Sequence, residues 1–188
     1  AYNNPRKGGI IGIGLEKGDR LIGVALSNGK SEVLLATRNG KALRFAEKQI
    51  RDMGRGAKGV RGISLEKSDH VVSMVVFPSD ISKTGSTLLT VSGYGFTKRS
   101  DFEEYRIQSR GGKGIINMKV TDKNGPVVGV LAVMPDDEIM TVTKQGMIVR
   151  CSPKDVRETG RSAVGVRLIS LEKGDEVSSV AIVVAKED

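Results

Sequence analysis

The sequence has few of the residues on which disulfide frameworks, zinc sites and base-stacking surfaces depend. It contains one cysteine, one histidine and no tryptophan, and aromatic residues make up only 4% of the chain. A lone cysteine excludes a disulfide framework, and Cys151 with His70 cannot supply zinc-finger spacing, so we expect no metal and no cofactor. So few aromatic rings argue against a protein that binds single-stranded bases mainly by stacking.

Long apolar runs and a signal peptide are also missing. The longest apolar stretch, Val127–Met134, is much shorter than the roughly 20 residues that span a membrane. The chain begins with polar residues at Ala1–Lys7 that lead into glycine-rich sequence, not with a charged and then apolar leader. These features predict a soluble protein of a reducing cytoplasm.

Positive charge is what the chain has in excess. Its 188 residues carry 30 Lys and Arg against 22 Asp and Glu, which gives a net charge of +8. This balance indicates a polyanionic partner. The length is that of one ordinary domain, and 38% hydrophobic residues suffice for a buried core.

Internal repeats of about 50 residues organise the sequence. The segments Gly9–Asp19, Gly59–Asp69 and Gly165–Asp175 nearly superimpose, and a more distant copy begins at Gly114. A second glycine follows at matching intervals, at positions 40, 95 and 146. We therefore expect a single domain with repeats at approximately 1–50, 51–105, 106–156 and, incomplete, 157–188.

Short runs rich in valine, leucine and isoleucine predict four β-strands in each full repeat. In order of their place within the repeat, the predicted strands are Ile10–Leu15, Val60–Leu65, Ile115–Val120 and Val166–Leu171; Leu21–Leu26, Val71–Phe77, Val127–Val133 and Val177–Val184; Glu32–Thr37, Thr87–Val91 and Ile139–Thr143; and Ala42–Phe45, Phe96–Arg99 and Met147–Cys151. We expect the second strand of each repeat to pair with the third. The fold is predicted to be all-β, a propeller-like partial disc of about four four-stranded blades; the alternative is a β-sandwich with accidental self-similarity.

Cationic residues recur at fixed places in the repeat, so a disc would bring them together in an arc. The predicted DNA-binding residues are Arg44, Arg99 and Arg150, four residues after the second glycine, with Lys98; Arg55, Arg110 and Arg161, four residues before the first glycine; and Lys7, Lys58, Lys113, Arg61 and Arg167 around the first glycine. Acidic turns recur elsewhere, at Glu16–Asp19, Glu66–Asp69 and Glu172–Asp175. An arc of cations suits phosphates, which need no base readout. The alternative is that these are ordinary solvated charges of a β protein.

Several segments resemble the C-terminal domain of the DNA gyrase A subunit. The similarity extends over the whole chain and rests on Gly59–Ile63, Gly93–Arg99, Gly114–Val120 and Asn124–Val130. The resemblance implies a β-pinwheel, a propeller-like disc whose neighbouring blades exchange strands. It also implies that a basic rim wraps duplex DNA for the ATP-dependent supercoiling of gyrase, an isomerase. The implied partners are the rest of the gyrase A subunit and the gyrase B subunit, at the nucleoid of a bacterial cytoplasm.

The signature heptapeptide of the family, Gln-Arg-Arg-Gly-Gly-Lys-Gly, has a close counterpart here. Gln108, Arg110, Gly111, Gly112, Lys113 and Gly114 match it, and Ser109 replaces an arginine. The glycines would let main-chain N–H groups approach a phosphate that the two cations neutralise. Because only one and a half repeats follow it, we interpret this segment as a box-like loop in a late blade.

The number of repeats indicates a fragment that lacks the first blades of such a disc. The last sheet edge is then expected to be completed by Ala1–Lys7 or by a neighbouring molecule, because unpaired edges invite pairing.

The predicted function is sequence-nonspecific binding and wrapping of duplex DNA by a non-catalytic domain. Alternatives are the corresponding domain of the topoisomerase IV A subunit and a protein-interaction propeller that meets an acidic partner. Tyr2, Tyr94 and Tyr105 are nucleophiles only by residue type. The resemblance places the DNA-cleaving tyrosine in another domain, so we expect no catalysis by this chain.

Overall fold

The computed structural model describes residues 7–183, and in this range the chain forms antiparallel β-sheets joined by short 3₁₀ turns. The strands are β1 Ser31–Thr37, β2 Lys41–Ala46, β3 Val71–Pro78, β4 Thr87–Ser92, β5 Phe96–Ser100, β6 Ile115–Ile116, β7 Val127–Val133, β8 Glu138–Thr143, β9 Ile148–Cys151, β10 Val166–Arg167 and β11 Val177–Val183. Single 3₁₀ turns lie at Glu47–Gln49, Ile81–Thr84, Phe102–Glu104 and Pro153–Asp155. The all-β prediction is confirmed. The expected pairing of Ala1–Arg6 and the strand end at Val184 fall outside the described residues.

Each sheet is built around a hairpin of two consecutive strands, β1–β2, β4–β5 or β8–β9. Runs of Val, Leu, Ile, Thr and Phe favour the extended backbone of these strands, and a glycine at positive φ closes each turn. All six residues of β4 are buried. A strand buried on both faces lies in the middle of its sheet and between layers.

Strands from later repeats complete the sheets. The strand orders are β3-β1-β2-β6, β7-β4-β5-β10 and β11-β8-β9. A long strand of the next repeat pairs with one edge of the hairpin, and in two sheets a two-residue strand from the repeat after that pairs with the other edge. Neighbouring repeats therefore exchange strands.

The expected pairing of the second and third strands within one repeat was wrong. Val71–Pro78 pairs with β1 of the preceding repeat, with Val75 opposite Leu34, and not with β4. The same shift joins β4 to β7 and β8 to β11. The reason lies in the side chains of β3, because Val75 and Phe77 are buried in one cluster with Leu88 of β4. The strand packs a face against the next sheet while its backbone edge pairs with the preceding one.

The strands expected directly after the first glycine are short or absent. β6 and β10 have two residues each, and residues 10–15, 21–26 and 60–65 are not strands. β6 and β10 pair with β2 and β5, which belong to hairpins two repeats earlier. By this pattern residues 10–15 and 60–65 would pair with a hairpin two repeats earlier, and residues 21–26 with a hairpin one repeat earlier. The described part of the chain contains no such hairpins, so these three segments have no sheet edge to join.

The acidic turns have a structural role at the hairpin turns. The Asp69 carboxylate accepts a hydrogen bond from the backbone N–H of Asn39 (3.0 Å), and Asp175 accepts one from Gln145 (3.1 Å). The pKa of Asp175 is lowered overall. Desolvation by itself would raise this pKa, but hydrogen bonds from the Thr143 side chain and nearby backbone amides outweigh the desolvation. The recurring aspartate therefore fixes the acidic turn of one repeat on the hairpin turn of an earlier one.

The hairpin turns approach the following strands closely enough to exclude a side chain. Gly95 has φ +79, and its carbonyl oxygen accepts a hydrogen bond from the N–H of Leu168 (3.0 Å). A Cβ added at Gly95 would lie 2.5 Å from the Ile169 carbonyl oxygen. Gly146 has φ +90 at the same place in its repeat, but a Cβ there would meet no described atom within 4 Å.

We expect Gly95→Ala to destabilise the protein much more than Gly146→Ala. Both changes place a Cβ at positive φ, which costs about 1–2 kcal/mol. Only Gly95→Ala adds an overlap with backbone, for which overpacked sites suggest about 1–3 kcal/mol more. Urea denaturation of both variants measures the difference, and equal losses would contradict the tight contact between the turn and the later strand.

Candidate nucleic-acid interface

Arg44, expected on the rim, lies inside the protein. Its Nε forms an ion pair with Glu32 across the hairpin (2.5 Å), and both side chains are nearly inaccessible. Nη1 donates to the carbonyl oxygens of Phe102 (2.7 Å) and Tyr105 (3.2 Å), and the guanidinium lies 5.4 Å from the centre of the Phe77 ring. The predicted rim position of Arg44 was therefore wrong, because this side chain joins the β1–β2 hairpin to the 3₁₀ turn of the next repeat.

Arg44, Arg99 and Arg150 occupy equivalent positions in the three hairpins, and we call them the inner arginines. Arg99 and Arg150 each retain part of the contact that Arg44 makes. Arg99 is largely buried, and its Nε donates to the carbonyl oxygen of Val156 (2.8 Å), which occupies the place of Tyr105 in the next repeat. Arg150 is exposed and pairs with Glu138. Two of the three inner arginines thus bind successive repeats together, and the third is at the surface.

Lys98 is also buried and does not present its charge to solvent, contrary to the prediction. It stands where the other hairpins have Leu43 and Val149, and its Nζ donates to Ser100 Oγ (2.6 Å). Burial lowers the pKa of Lys98 from 10.5 to about 8, although the nearby charge of Glu104 opposes this shift.

The arginines four residues before the first glycine, here called the box arginines, make one repeated contact. Nη1 of Arg110 donates to the carbonyl oxygen of Arg61, and Nη1 of Arg161 donates to that of Ile116 (2.7 Å). Both acceptors lie two residues after the first glycine of the preceding repeat. Arg55 makes the equivalent contact more loosely, at 3.5 Å. The box arginines therefore also connect neighbouring repeats.

The box-like loop, residues 108–114, is held against the preceding repeats. The backbone N–H groups of Arg110 and Gly111 each donate to an acceptor within the protein, both at 2.7 Å. A Cβ added at Gly114 would lie 2.6 Å from a carbonyl oxygen of β2. Two amides expected to approach phosphate are therefore already bonded, whereas the Lys113 side chain is exposed.

Gln108 and Gly112 lie on the inner side of this loop. The Gln108 backbone N–H donates to the Arg44 carbonyl oxygen (2.8 Å), and its buried side-chain Nε2 has no hydrogen-bond partner among residues 7–183. The Gly112 carbonyl oxygen accepts from the N–H of Ser64 (2.9 Å). Through these hydrogen bonds both residues attach the loop to preceding repeats.

The remaining predicted cations are accessible. The exposed members are Lys7, Arg55, Lys58, Arg61, Lys113, Arg150 and Arg167. Lys58 forms an exposed ion pair with Glu16 (3.1 Å), a contact of little energy that a phosphate can replace. Arg167 lies over the Phe96 ring, 5.2 Å from its centre, and Lys123, which sequence reasoning missed, lies 5.6 Å from the same centre.

A third set of arginines was missed in the sequence, and we call these the outer arginines. Arg51, Arg106 and Arg157 each stand eleven residues after the second glycine of their repeat. Each follows the 3₁₀ turn at the open end of its hairpin, and each is exposed. The sequence feature that could have identified the outer arginines is their constant distance from the second glycine, the same kind of spacing that identified the inner and box arginines.

The acidic turns and the outer arginines lie at opposite ends of the hairpins, although the 3₁₀ turns also carry acidic residues. The acidic turns are bonded at the turn end, through Asp69 and Asp175, while the 3₁₀ turns and the outer arginines follow the open end. A strand such as β2 has six residues, so the two ends are about 20 Å apart.

Burial disfavours the ionised, nucleophilic form of two side chains, Tyr105 and Cys151. Burial raises the pKa of Tyr105 above its ordinary value, and its hydroxyl donates to Asn117 Oδ1 (2.6 Å). Burial also raises the pKa of the Cys151 thiol. Residues 7–183 contain no group of three His, Cys, Asp or Glu side chains placed to hold a metal, and no helix in that range is long and apolar enough to cross a membrane.

Comparison with known proteins places these repeats in a family. The sequence profile of the family described as "DNA gyrase C-terminal domain, beta-propeller" matches residues 1–28, 31–78, 86–134 and 137–183. The chain belongs to the DNA gyrase C-terminal domain family. Membership in the DNA gyrase C-terminal domain family confirms the resemblance drawn from the repeat segments and the propeller-like fold class.

Curated relatives of the chain are gyrase subunits. The DNA gyrase A subunit of Lawsonia intracellularis is 40% identical over 173 residues, which cover 92% of this chain and 21% of the relative. The DNA gyrase A subunit of Staphylococcus epidermidis is 39% identical over 187 residues, 100% of this chain and 21% of the relative. This member of the DNA gyrase C-terminal domain family therefore spans about a fifth of the length of these relatives.

Solved structures confirm the pinwheel class of fold. The C-terminal domain of DNA topoisomerase IV superposes with a TM-score of 0.89 at 26% identity, covering 97% of this chain and 56% of the other. The DNA gyrase A C-terminal domain superposes with a TM-score of 0.84 at 29% identity, covering 95% and 59%.

Arg44→Met is expected to lower the free energy of unfolding by about 3–5 kcal/mol, because it leaves Glu32 buried without a counter-charge. Adding Glu32→Leu should recover much of the loss, since no unpaired charge then remains at this site, although the carbonyl oxygens of Phe102 and Tyr105 still lack their donor. Urea denaturation of the single and double variants measures both effects. A single variant as stable as the wild-type protein would show that the buried pair is not a structural contact.

Lys98→Leu is expected to stabilise the protein near neutral pH, and less so in alkali. The folded pKa of about 8 lies below the ordinary 10.5, so the unfolded chain binds more protons between these values. The stability of the wild-type protein should therefore rise with pH across this window, as the buried charge is lost. Unfolding free energies of variant and wild type at about pH 7 and pH 10 give the comparison, and a difference that does not change with pH would refute it.

Proposed function

We propose that this chain binds duplex DNA without sequence specificity and bends or wraps it, as the non-catalytic C-terminal domain of a DNA gyrase A subunit. In that role it supports ATP-dependent supercoiling, and the breakage and rejoining of DNA take place elsewhere in the enzyme. Family membership and the relatives named as the A subunits of DNA gyrase support this assignment.

The observation that carries the proposal is the recurrence of exposed cations on a stack of strand-exchanged repeats. Lys58 and Lys113 directly precede the first glycine of two consecutive repeats, and Arg61 and Arg167 follow it by two residues in two repeats. Shared sheets fix the distance from each repeat to the next. Cations at regular intervals on a rigid body can bind the regularly spaced phosphates of a curved duplex without contacts to bases.

The partners follow from this role. They are duplex DNA, the remainder of the gyrase A subunit and the gyrase B subunit, at the nucleoid of a bacterial cytoplasm. We propose that residues 1–188 form one pinwheel unit with the repeat boundaries given above. In the described residues β9 has a paired strand on one side only, and strand exchange with a neighbouring molecule is a way to satisfy the other edge.

A topoisomerase IV role is the second candidate. The observation that favours it is the TM-score of 0.89 with the C-terminal domain of DNA topoisomerase IV. The gyrase role predicts that binding wraps DNA, so that religation of a nicked circle in the presence of the protein changes its linking number. Binding without a change in linking number would favour the second candidate.

Binding of the chain to a random-sequence duplex is expected to weaken steeply with salt. Release of counterions gives log K a slope of about −0.9 per phosphate contacted against log salt, so half a dozen contacts give a slope of about −5. Fluorescence anisotropy over a salt series measures the slope, with a second duplex of unrelated sequence as the control for specificity. A slope close to zero, or a strong preference for one duplex, would overturn the proposal.

A further inference from the structure

We propose that the outer arginines Arg51, Arg106 and Arg157 grip successive phosphates of the bound duplex, while the inner and box arginines mainly hold the repeats together. This inference rests on the proposed function, because it names the residues that carry it. It transfers the binding role expected of the inner and box arginines to a set that sequence reasoning missed, which acts beside the exposed cations around the first glycine.

The three sets differ in how much of each guanidinium is already bonded. Arg44 uses Nε and Nη1 within the protein, Arg110 uses the same two atoms, and Arg161 uses Nη1. Within residues 7–183 the side chains of the outer arginines form no hydrogen bond, ion pair or ring contact. An exposed guanidinium with all five N–H donors available can turn to bind a phosphate through two parallel hydrogen bonds, whereas internal contacts hold the guanidinium groups of Arg44, Arg110 and Arg161 in a fixed orientation.

The backbone of two outer arginines is held in place by the inner arginines. The Tyr105 carbonyl oxygen, which accepts from Arg44, belongs to the residue directly before Arg106. The Val156 carbonyl oxygen, which accepts from Arg99, belongs to the residue directly before Arg157. Arg44 and Arg99 therefore help to fix the backbone positions of Arg106 and Arg157.

Backbone bridges also hold the residues that follow Arg106 and Arg157 beside the hairpins of the preceding repeats. Ile107 forms a parallel bridge with Arg44, and Glu158 forms the same bridge with Arg99. The Arg99 N–H also donates directly to the Arg157 carbonyl oxygen (3.3 Å). Arg106 and Arg157 thus occupy equivalent places beside consecutive hairpins. A ligand that meets both must itself present acceptors at intervals, as a chain of phosphates does.

Among residues 7–183, no ion pair joins an outer arginine to its acidic neighbours Asp52, Glu104 and Glu158. Glu158, the acidic neighbour of Arg157, lies 3.8 Å from Arg99, so its carboxylate faces the inner arginine. The acidic turns are bonded at the opposite end of the hairpins, about one strand length away. The lysines of those turns, Lys17, Lys67 and Lys173, are exposed and recur in register, so they provide a control of equal charge.

The test compares two triple variants of the whole chain. Arg51→Glu/Arg106→Glu/Arg157→Glu and Lys17→Glu/Lys67→Glu/Lys173→Glu each change the net charge from +8 to +2, since three reversals remove six charges. We expect the first to lower the affinity for a random-sequence duplex at least about tenfold and to reduce the salt slope by about 2–3, at about 0.9 for each phosphate lost. The control should keep a slope within about one of the wild-type value.

Arginine-to-lysine variants distinguish the contribution of the guanidinium geometry to binding from that of its positive charge. Arg51→Lys/Arg106→Lys/Arg157→Lys keeps the net charge but removes the planar fork, and should bind measurably more weakly than the wild-type protein. It also decides the matter if the glutamate variant fails to fold, which thermal unfolding of every variant reports.

Each result has one meaning. Equal losses in the arginine and lysine reversals would show that net charge alone matters, and an unchanged slope in the arginine reversal would show that other cations meet the phosphates. Either result overturns the inference while leaving DNA binding intact. If the wild-type chain binds no duplex but binds a polyglutamate peptide, the proposed function itself fails and the outer arginines serve an acidic protein partner.

Discussion

The pairing of each hairpin with strands of later repeats is the constraint on which the rest of the structure depends. An isolated two-stranded hairpin is at best marginally stable in water, because both of its edges have unpaired backbone groups and one face has no cover. β1 gains β3 on one edge, and β2 gains β6 on the other. Since these strands come from the next two repeats, no repeat is complete by itself, and the position of each is determined by its neighbours.

The inner arginines show how a charge can serve this architecture from inside the protein. Burying Arg44 and Glu32 removes both from water, and such a pair seldom adds much net stability compared with apolar residues. What the pair supplies here is geometry: the guanidinium reaches two carbonyl oxygens of the following 3₁₀ turn, so a shift between the repeats would leave buried polar groups unpaired. The arginine thus specifies how consecutive hairpins are aligned.

The sequence identified the hairpin strands well and their partners poorly. Glu32–Thr37 and Phe96–Arg99 were predicted within one residue of β1 and β5, because the repeat spacing and the turn glycines locate them. The direction of the Arg44 side chain was not predictable in this way. Its neighbours on β2 are also buried, so the alternation that separates an inner from an outer face is absent. Nor does periodicity along the chain state which sheet edge a strand will join.

Rigidity between repeats is what converts recurrent cations into a surface that could bend DNA, if the proposed function holds. Smooth bending of a short duplex by about 40–90° costs on the order of 1–6 kcal/mol, and phosphate contacts must offset this cost. Cations on flexible loops could follow a straight duplex and would leave it straight. Under the proposed function, cations whose backbone is held by Arg44 and Arg99 would move less, and the duplex would adapt to the protein. The same contacts that align the hairpins would then set the path of the DNA, without reading its sequence.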